Sequence, residues 1–183
     1  VIGTGDLSEL ALGWTTYNGD HISMYGVNAG IPKTLVKCLM KWIAEHKVDE
    51  TSHRILLDIA DTPISPELIP VGGDGEIHQK TEDLVGPYEL HDFYLYHFLR
   101  HGASPGKIYR LARVAFAGRY ENDVIGKWLR TFFYRFFQQQ FKRSCLPDGP
   151  KIGSVGLSPR SDWHMPSDAV PTVWLKEIEG LDG

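Results

Sequence analysis

The chain has 183 residues, of which 42% are hydrophobic and 23% are charged, a composition typical of a globular domain and not of a disordered chain. A formal net charge of -4 argues against a broad nucleic-acid-binding surface. Its longest apolar runs fall short of the ~18 residues of a membrane-spanning helix. Two distant cysteines indicate a reducing compartment. We therefore expect a cytoplasmic protein with neither nucleic-acid nor membrane partners.

The first residues predict the end of a buried strand followed by a helix. Residues 1–4 read as the strand, and Asp6 with Glu9 three residues later forms a capping-box pattern at the start of the helix. Apolar residues then recur at helical spacing. They are Leu7, Leu10, Ala11 and Trp14. Because the chain opens inside a strand, we expect it to be a piece of a longer protein.

Two helices are predicted next, each with one apolar face. Pro32 opens the first, at a position where its missing N–H costs little. Its apolar face comprises Leu35, Val36, Leu39, Trp42 and Ile43. The second covers 51–61, and its inward residues are Ile55, Leu56 and Ile59. Residues 62–86 are rich in proline and glycine and predict a long irregular segment, of the kind that is usually functional or disordered.

Three further helices are predicted over 88–100, 104–117 and 123–142, and extended coil after Cys145. The longest carries a broad aromatic stripe. Its members are Trp128, Leu129, Phe132, Phe133, Phe136 and Phe137. One strand end and these helices leave wide apolar faces without a partner layer. We therefore expect a parallel sheet upstream, outside this chain, and self-association through exposed aromatic area.

The segment from Gly3 to Glu9 is the first candidate site. A strand end, a glycine-flanked turn and a helix N-terminus together bind anions or nucleotides through exposed N–H groups. Thr4 adds a hydroxyl, and Glu9 offers an oxygen ligand to Mg²⁺. The alternative is that Asp6 and Glu9 form only a helix cap. The spacing of the residues leaves both interpretations open.

Several charged residues form further candidates. Lys33 lies near a helix N-terminus, where its charge is unfavourable unless an anionic ligand is shared, and the alternative is a solvated surface lysine. Lys142 and Arg143 end the longest predicted helix, where cations complement the helix dipole. Hydroxyl and carboxylate groups in the irregular segment are either solvated or functional. They belong to Ser65, Glu67, Glu76, Glu82 and Asp83.

Six segments, in order along nearly the whole chain, resemble glutamine-dependent NAD synthetases. They cover residues 1–14, 25–34, 63–68, 81–88, 141–143 and 157–160. The resemblance implies an α/β synthetase domain of the adenine nucleotide alpha hydrolase-like type, which is Rossmann-like and also called an N-type ATP pyrophosphatase. Residues 1–183 would be a truncated, predominantly α-helical C-terminal portion of it.

The resemblance also implies a ligase activity in NAD biosynthesis. In this family ATP adenylates deamido-NAD, and ammonia derived from glutamine displaces AMP to give NAD. Mg²⁺ and cations stabilise the charge that develops on the leaving pyrophosphate. A closed pocket protects the NAD-adenylate from water. The implied cofactor is Mg²⁺, the implied substrates are ATP and deamido-NAD, and the implied state is a homo-oligomer.

Residue roles carry over by position. The residues that resemble ATP contacts are Thr4, Lys33 and Ser65. Those that resemble deamido-NAD contacts are Glu9, which also resembles a Mg²⁺ ligand, Trp14, Asp20, Glu82, Asp83 and Lys142. Met24 and Phe141 depart from the ammonia-dependent branch of the family and favour the glutamine-dependent one.

Two parts of the family are not among these residues: the nucleotide-binding loop, SGG followed by aspartate and serine, and the glutaminase domain with its cysteine nucleophile. We expect both as partner segments of the same polypeptide, normally preceding Val1, and we expect the chain alone to be inactive. Two other classes stay open. One is a helical oligomerisation or binding module without catalysis, and the other is a different adenylating amidotransferase.

Overall fold

The computed structural model describes residues 1–62 and 81–181, and within these ranges a two-stranded parallel sheet adjoins nine α-helices. The strands are β1 (Ile2–Gly3) and β2 (Tyr25–Gly26). The helices are α1 (Leu7–Leu12), α2 (Lys33–His46), α3 (Glu50–Asp61), α4 (Thr81–Val85), α5 (Tyr88–His101), α6 (Pro105–Ala115), α7 (Asn122–Gln138), α8 (Gln140–Ser144) and α9 (Thr172–Glu179). A 3-10 turn (Asp20–Ile22) precedes β2. None of the described helices is long and apolar enough to cross a membrane.

The sheet confirms the predicted N-terminal strand, which is very short, but the prediction that this strand is buried is wrong, since Ile2 is 61% exposed. Ile2 pairs with Tyr25 and Gly3 with Gly26, and α1 lies in the connection between the two strands. The segment around Asp148 packs on the end of β2, where the Gly26 N–H donates to the Asp148 carbonyl at 2.8 Å. A Cβ on Gly149 would lie 2.1 Å from the Gly26 carbonyl oxygen, so only glycine permits this approach.

The core forms where α5, α6 and α7 pack against one another, with α1 on α5 and α7 and with α9 on α6 and α7. Phe132, Phe133 and Phe136 are completely buried there. Phe98 meets Phe133 edge-to-face at 5.1 Å, and Trp163 meets Phe136 at 5.4 Å. The expectation that this aromatic stripe is an exposed assembly surface is therefore wrong. A helix at the centre of a bundle is apolar over most of its circumference because neighbours cover several sides.

The hairpin of α2 and α3 shows the opposite difference. Its two helices pack on each other and bury Ala44 and Ala60, while several large apolar side chains are exposed: Leu35, Leu39, Trp42, Ile43, Ile55 and Ile59. Trp42 is 49% exposed and Ile55 is 55% exposed. The prediction that Ile55 and Ile59 face inward is wrong, because helical periodicity reveals an apolar face but not what covers it. The uncovered apolar layer expected from the sequence thus lies on this hairpin.

One helix is interrupted, and two helices occur in segments that the sequence predicts as irregular or extended. The helix predicted over 123–142 is interrupted at Gln139, whose backbone (φ -99°, ψ 11°) separates α7 from α8. Helix α4 occupies the end of the segment predicted as irregular, and residues 63–80 lie outside the described residues. Helix α9 replaces predicted coil. Pro171 lies immediately before it, and the ring of its Trp174 packs on that of Phe137 at 4.5 Å with a tilt of 41°.

Candidate functional site

The turn after β1 leads into α1 through a complete capping box. The Asp6 side chain accepts the Glu9 N–H at 3.0 Å, and the Glu9 carboxylate accepts the Asp6 N–H at 2.9 Å. The helix-cap interpretation of these two residues is therefore confirmed. It uses one oxygen of each carboxylate, which leaves the second oxygens available for another partner.

That partner is Lys33, at the first turn of α2. Its ammonium lies 2.5 Å from Asp6 Oδ2 and 2.6 Å from Glu9 Oε1. The side chain is only 21% exposed, so the interpretation as a solvated surface lysine is wrong. The structure thus brings together two predicted site residues, Glu9 and Lys33, at the adjoining N-termini of two helices.

Burial controls the charges in this cluster. Burial, followed by the charge of Glu9, raises the pKa of Asp6 to about 6 in spite of Lys33. Burial opposes the charge of Lys33, but Asp6 and Glu9 outweigh it and raise the pKa of the ammonium. The cluster therefore carries two carboxylates around one cation in a largely dry setting.

Asp6 gives a pH dependence of stability with a defined sign. Because its pKa rises from 3.8 to about 6 on folding, its contribution is fully present below 3.8 and is lost as the pH rises through 6. We expect the free energy of unfolding of the wild type, relative to Asp6→Asn, to fall by on the order of 2 kcal/mol between pH 4 and 7. Asparagine is a matched variant because it caps helices equally well without titrating. Urea unfolding at each pH measures this difference, and parallel profiles for the two proteins would contradict the assignment.

A cavity of about 280 Å³ opens beside the cluster. Thr4 and Asp20 both line it, together with the β1 residues, Gly5, Leu146 and Pro147. It lies at the end of a parallel strand, where ligands of open α/β sheets bind. Glu9 and Lys33 are outside the described lining, but Glu9 adjoins it, since a Cβ on Gly5 would lie 3.7 Å from Glu9 Oε2. Thr4 and the Glu9–Lys33 pair therefore occupy neighbouring positions joined by Gly5.

Two further predicted residues, Trp14 and Lys142, lie at the C-terminal end of α1. Helix α1 ends at Gly13, whose φ of +62° favours glycine. Lys142 donates to the carbonyls of Gly13 at 2.9 Å and Thr15 at 2.8 Å. The guanidinium of Arg135 lies 5.0 Å from the ring of Trp14. The Lys142 ammonium thus fixes the loop that carries Trp14, and it complements the end of α1 and not, as expected, the end of its own helix.

Arg143 is a residue whose importance the sequence analysis missed. It is 1% exposed and donates to the carbonyls of Leu10 at 3.1 Å and Ala11 at 2.9 Å, and also to the Phe136 carbonyl and the Gln140 side chain. Burial lowers the pKa of its guanidinium to about 9. Its place at the end of a predicted helix indicates only a dipole-complementing cation, whereas its partners on α1 are more than 130 residues away in sequence. No local pattern signals such a pairing.

The remaining predicted residues belong to or follow the segment 62–86. Ser65, with Glu67 and Glu76, lies outside the described residues. Glu82 accepts the Tyr88 N–H at 3.0 Å and so caps α5, whose preceding Pro87 makes no side-chain cap bond. Asp83 is described only as a backbone position in α4. Contacts of these residues with a ligand stay predictions.

The surroundings of Glu9 do not form a Mg²⁺ site by themselves. Its oxygens already bond to Lys33 and to the Asp6 N–H. Across the described ranges, His, Cys, Asp and Glu side chains form no group of three or more that suits a metal. Mg²⁺ prefers six oxygen ligands and often combines one or two carboxylates with substrate phosphates and water. Glu9 therefore offers a single carboxylate, whose Oε1 is already bonded to Lys33.

Comparison with known proteins identifies first the fold and then the family that the chain resembles. No family model matches the sequence. The chain superimposes on a crystal structure of a glutamine-dependent NAD(+) synthetase from Cytophaga hutchinsonii with a TM-score of 0.71 at 21% identity. The superposition covers 100% of this chain and 26% of that one.

Proteins with a similar sequence point to the same family. The chain is 46% identical over 199 residues to the glutamine-dependent NAD(+) synthetase of Mycobacterium leprae, an alignment that covers 98% of the chain and 29% of that protein. The values are the same for the Mycobacterium tuberculosis enzyme. The resemblance to glutamine-dependent NAD(+) synthetases is thereby confirmed. The chain spans less than a third of the length of these relatives.

Proposed function

We propose that residues 1–183 are the C-terminal portion of the synthetase domain of a glutamine-dependent NAD synthetase. In this proposal the complete polypeptide, with its nucleotide-binding loop and glutaminase domain, is a cytoplasmic homo-oligomer that amidates deamido-NAD to NAD. The observation that carries the proposal is the 46% identity over 98% of the chain. The fold, with a cavity beside a phosphate-compatible turn, supports it.

The chain's own residues would serve two substrates near the two ends of α1, with Thr4 and Asp20 lining the one cavity where the two substrates would meet. On the ATP side, the turn at Thr4 offers N–H groups and a hydroxyl, and Lys33 offers a cation for phosphates. Since Asp6 and Glu9 hold Lys33 in this structure, phosphate binding requires the ammonium to exchange or share these partners. Ser65 would add a hydroxyl to ATP.

On the deamido-NAD side, the loop after α1 presents Trp14, whose indole suits stacking on a ring, and Asp20. Lys142 lies beside this loop and orders it through Gly13 and Thr15. Glu82 and Asp83 would cover the bound dinucleotide. The cavity of about 280 Å³ is near the lower limit of small-molecule sites, so it suits one part of a nucleotide and not the whole of it.

One observation favours a second candidate, an oligomerisation module without catalysis. The exposed apolar residues of α2 and α3 form a surface whose contact with water is unfavourable in free energy. Under this alternative a second copy of the polypeptide covers the surface and the chain serves assembly alone, whereas under the synthetase proposal upstream segments of the same polypeptide cover it. A different adenylating amidotransferase is the third candidate, and competition between deamido-NAD and other carboxylate substrates separates it from the first.

The synthetase proposal is tested by replacing the aligned segment of the Mycobacterium tuberculosis enzyme with this chain. We expect the chimera to form NAD from deamido-NAD, ATP and glutamine, because nearly half of the exchanged positions are identical. We expect the chain alone to give no NAD even with free ammonia, because the SGG nucleotide loop is not among its residues. A folded chimera that hydrolyses glutamine without forming NAD would refute the proposed function. Turnover by the chain alone would refute its incompleteness.

A further inference from the structure

Three helices meet at one largely buried carboxylate, Asp92 on α5. Its Oδ2 accepts the N–H of Thr34 at 3.0 Å and the hydroxyl of Thr34 at 2.7 Å. Its Oδ1 accepts the hydroxyl of Ser8 on α1. Asp92 is thereby bonded to the first turns of both α1 and α2.

These bonds replace a cap that α2 lacks. The residue before α2 is Pro32, which makes no side-chain cap bond. The first N–H of the helix, that of Lys33, instead donates to Ser8 Oγ at 2.8 Å, and the second, that of Thr34, donates to Asp92. Ser8 in turn donates its own proton to Asp92. The carboxylate therefore sets both the acceptor for Thr34 and the orientation of the hydroxyl that receives the Lys33 N–H.

The position of Asp92 carries a cost that a surface cap would not. Burial raises its pKa, and the hydrogen bonds from Ser8 and Thr34 oppose that rise. A serine or aspartate at position 32 would cap α2 in contact with water at little desolvation cost. A buried carboxylate supplied from another helix adds something that a local cap does not, namely a fixed position of the α2 N-terminus relative to α1.

The residue held by this arrangement is Lys33. Its backbone N–H is fixed through Ser8 and its ammonium lies between Asp6 and Glu9. We propose that Asp92 is a positioning residue for Lys33, so that it sets where the ammonium meets the phosphates of ATP without touching the substrate itself. This inference rests on the proposed synthetase function.

Asp92→Asn disturbs the arrangement with almost no change in shape. The asparagine has one acceptor oxygen, which serves either Thr34 or Ser8 but not both. If its amide group faces Ser8, that hydroxyl meets two donors and its own proton has no acceptor in the cluster. The position of Lys33 then loosens while the core beneath it is unchanged.

The test uses the complete synthetase polypeptide and a double-mutant cycle of Asp92→Asn with Lys33→Ala. We expect Asp92→Asn to raise the KM for ATP about tenfold and to change kcat and the KM for deamido-NAD by less than about threefold. Because Asp92 acts through Lys33, the double variant should be no worse than Lys33→Ala alone. A purely structural role would lower kcat, and kcat/KM for both substrates, in the wild-type and the Lys33→Ala backgrounds alike, and the losses would multiply.

Two further variants guard against misfolding, and one serves as a control. Thr34→Ser keeps the donor to Asp92 and should retain the wild-type KM for ATP, whereas Thr34→Val should raise it several-fold. Asp61→Asn removes an exposed carboxylate that pairs with Lys41 and Lys37 and not with Lys33, and it should change neither KM. A wild-type KM for ATP in Asp92→Asn, or in Thr34→Val when Asp92→Asn does not fold, would overturn the inference. An inactive wild-type polypeptide would instead overturn the proposed function.

Discussion

Replacing Arg143 with methionine is expected to lower the free energy of unfolding by about 2–4 kcal/mol. The guanidinium is buried and donates to three backbone carbonyls, those of Leu10, Ala11 and Phe136. Methionine fills much of the volume but leaves these carbonyls without donors, at about 1–3 kcal/mol each. Release from burying a charge offsets part of the loss. Urea unfolding followed by circular dichroism measures the difference.

Arg130→Met is the matched control for this experiment. Arg130 lies on the neighbouring helix α7 and forms an ion pair with Glu179 at 3.0 Å, but it is half exposed. Exposed ion pairs contribute about 0–1 kcal/mol, so this variant should remain close to the wild type. Equal losses in the two variants would show that the carbonyl contacts of Arg143 do not stabilise the fold.

Lys33→Ala is expected to lower kcat/KM for ATP about 100-fold in the complete polypeptide, because a preorganised cation on the phosphates is lost. Calorimetric titration with Mg-ATP should show a parallel loss of affinity, and Glu9→Ala should weaken binding of Mg-ATP or deamido-NAD. If both variants bind both ligands as the wild type does, the result favours the oligomerisation module over the synthetase as the function of this chain.

Lys37→Ala controls for the general effect of removing a cation from α2. Lys37 is 54% exposed and pairs with Asp61 on α3 at 3.7 Å. It should leave binding and turnover unchanged. Because Lys33→Ala also leaves two carboxylates side by side, its melting temperature must be measured at the assay pH, and binding compared only where the protein is folded.

The parts of the fold that follow from local signals were predicted from the sequence. Helix α6 begins at Pro105, one residue from the predicted start, and Ser104 accepts the Lys107 N–H; α5 ends at His101, one residue from the predicted end, before Gly102 with a φ of +58°. These caps involve neighbours in the chain, so sequence alone is sufficient for them. Which apolar faces are buried was predicted wrongly for α3 and α7, because that depends on which distant element covers each face.

The same distinction applies to the site. Asp6 and Glu9 were recognisable because a capping box has a fixed spacing. Their contact with Lys33 bridges 24 positions or more, and the bonds of Lys142 and Arg143 to α1 bridge more than 125. Only the folded chain shows these pairings. They also change the role assigned to Lys142, whose ammonium binds carbonyls of the loop after α1.

Helix α1 has only six residues, which is too short to persist in water by itself. Lys33 holds its beginning, and Arg135, Lys142 and Arg143 hold its end. The order of α1 therefore depends on contacts with α2, α7 and α8, which lie far from one another in the sequence. If the ATP and dinucleotide sides do flank α1, neither can be organised without the other, and a disturbance on one side is transmitted through a single rigid turn and a half of helix.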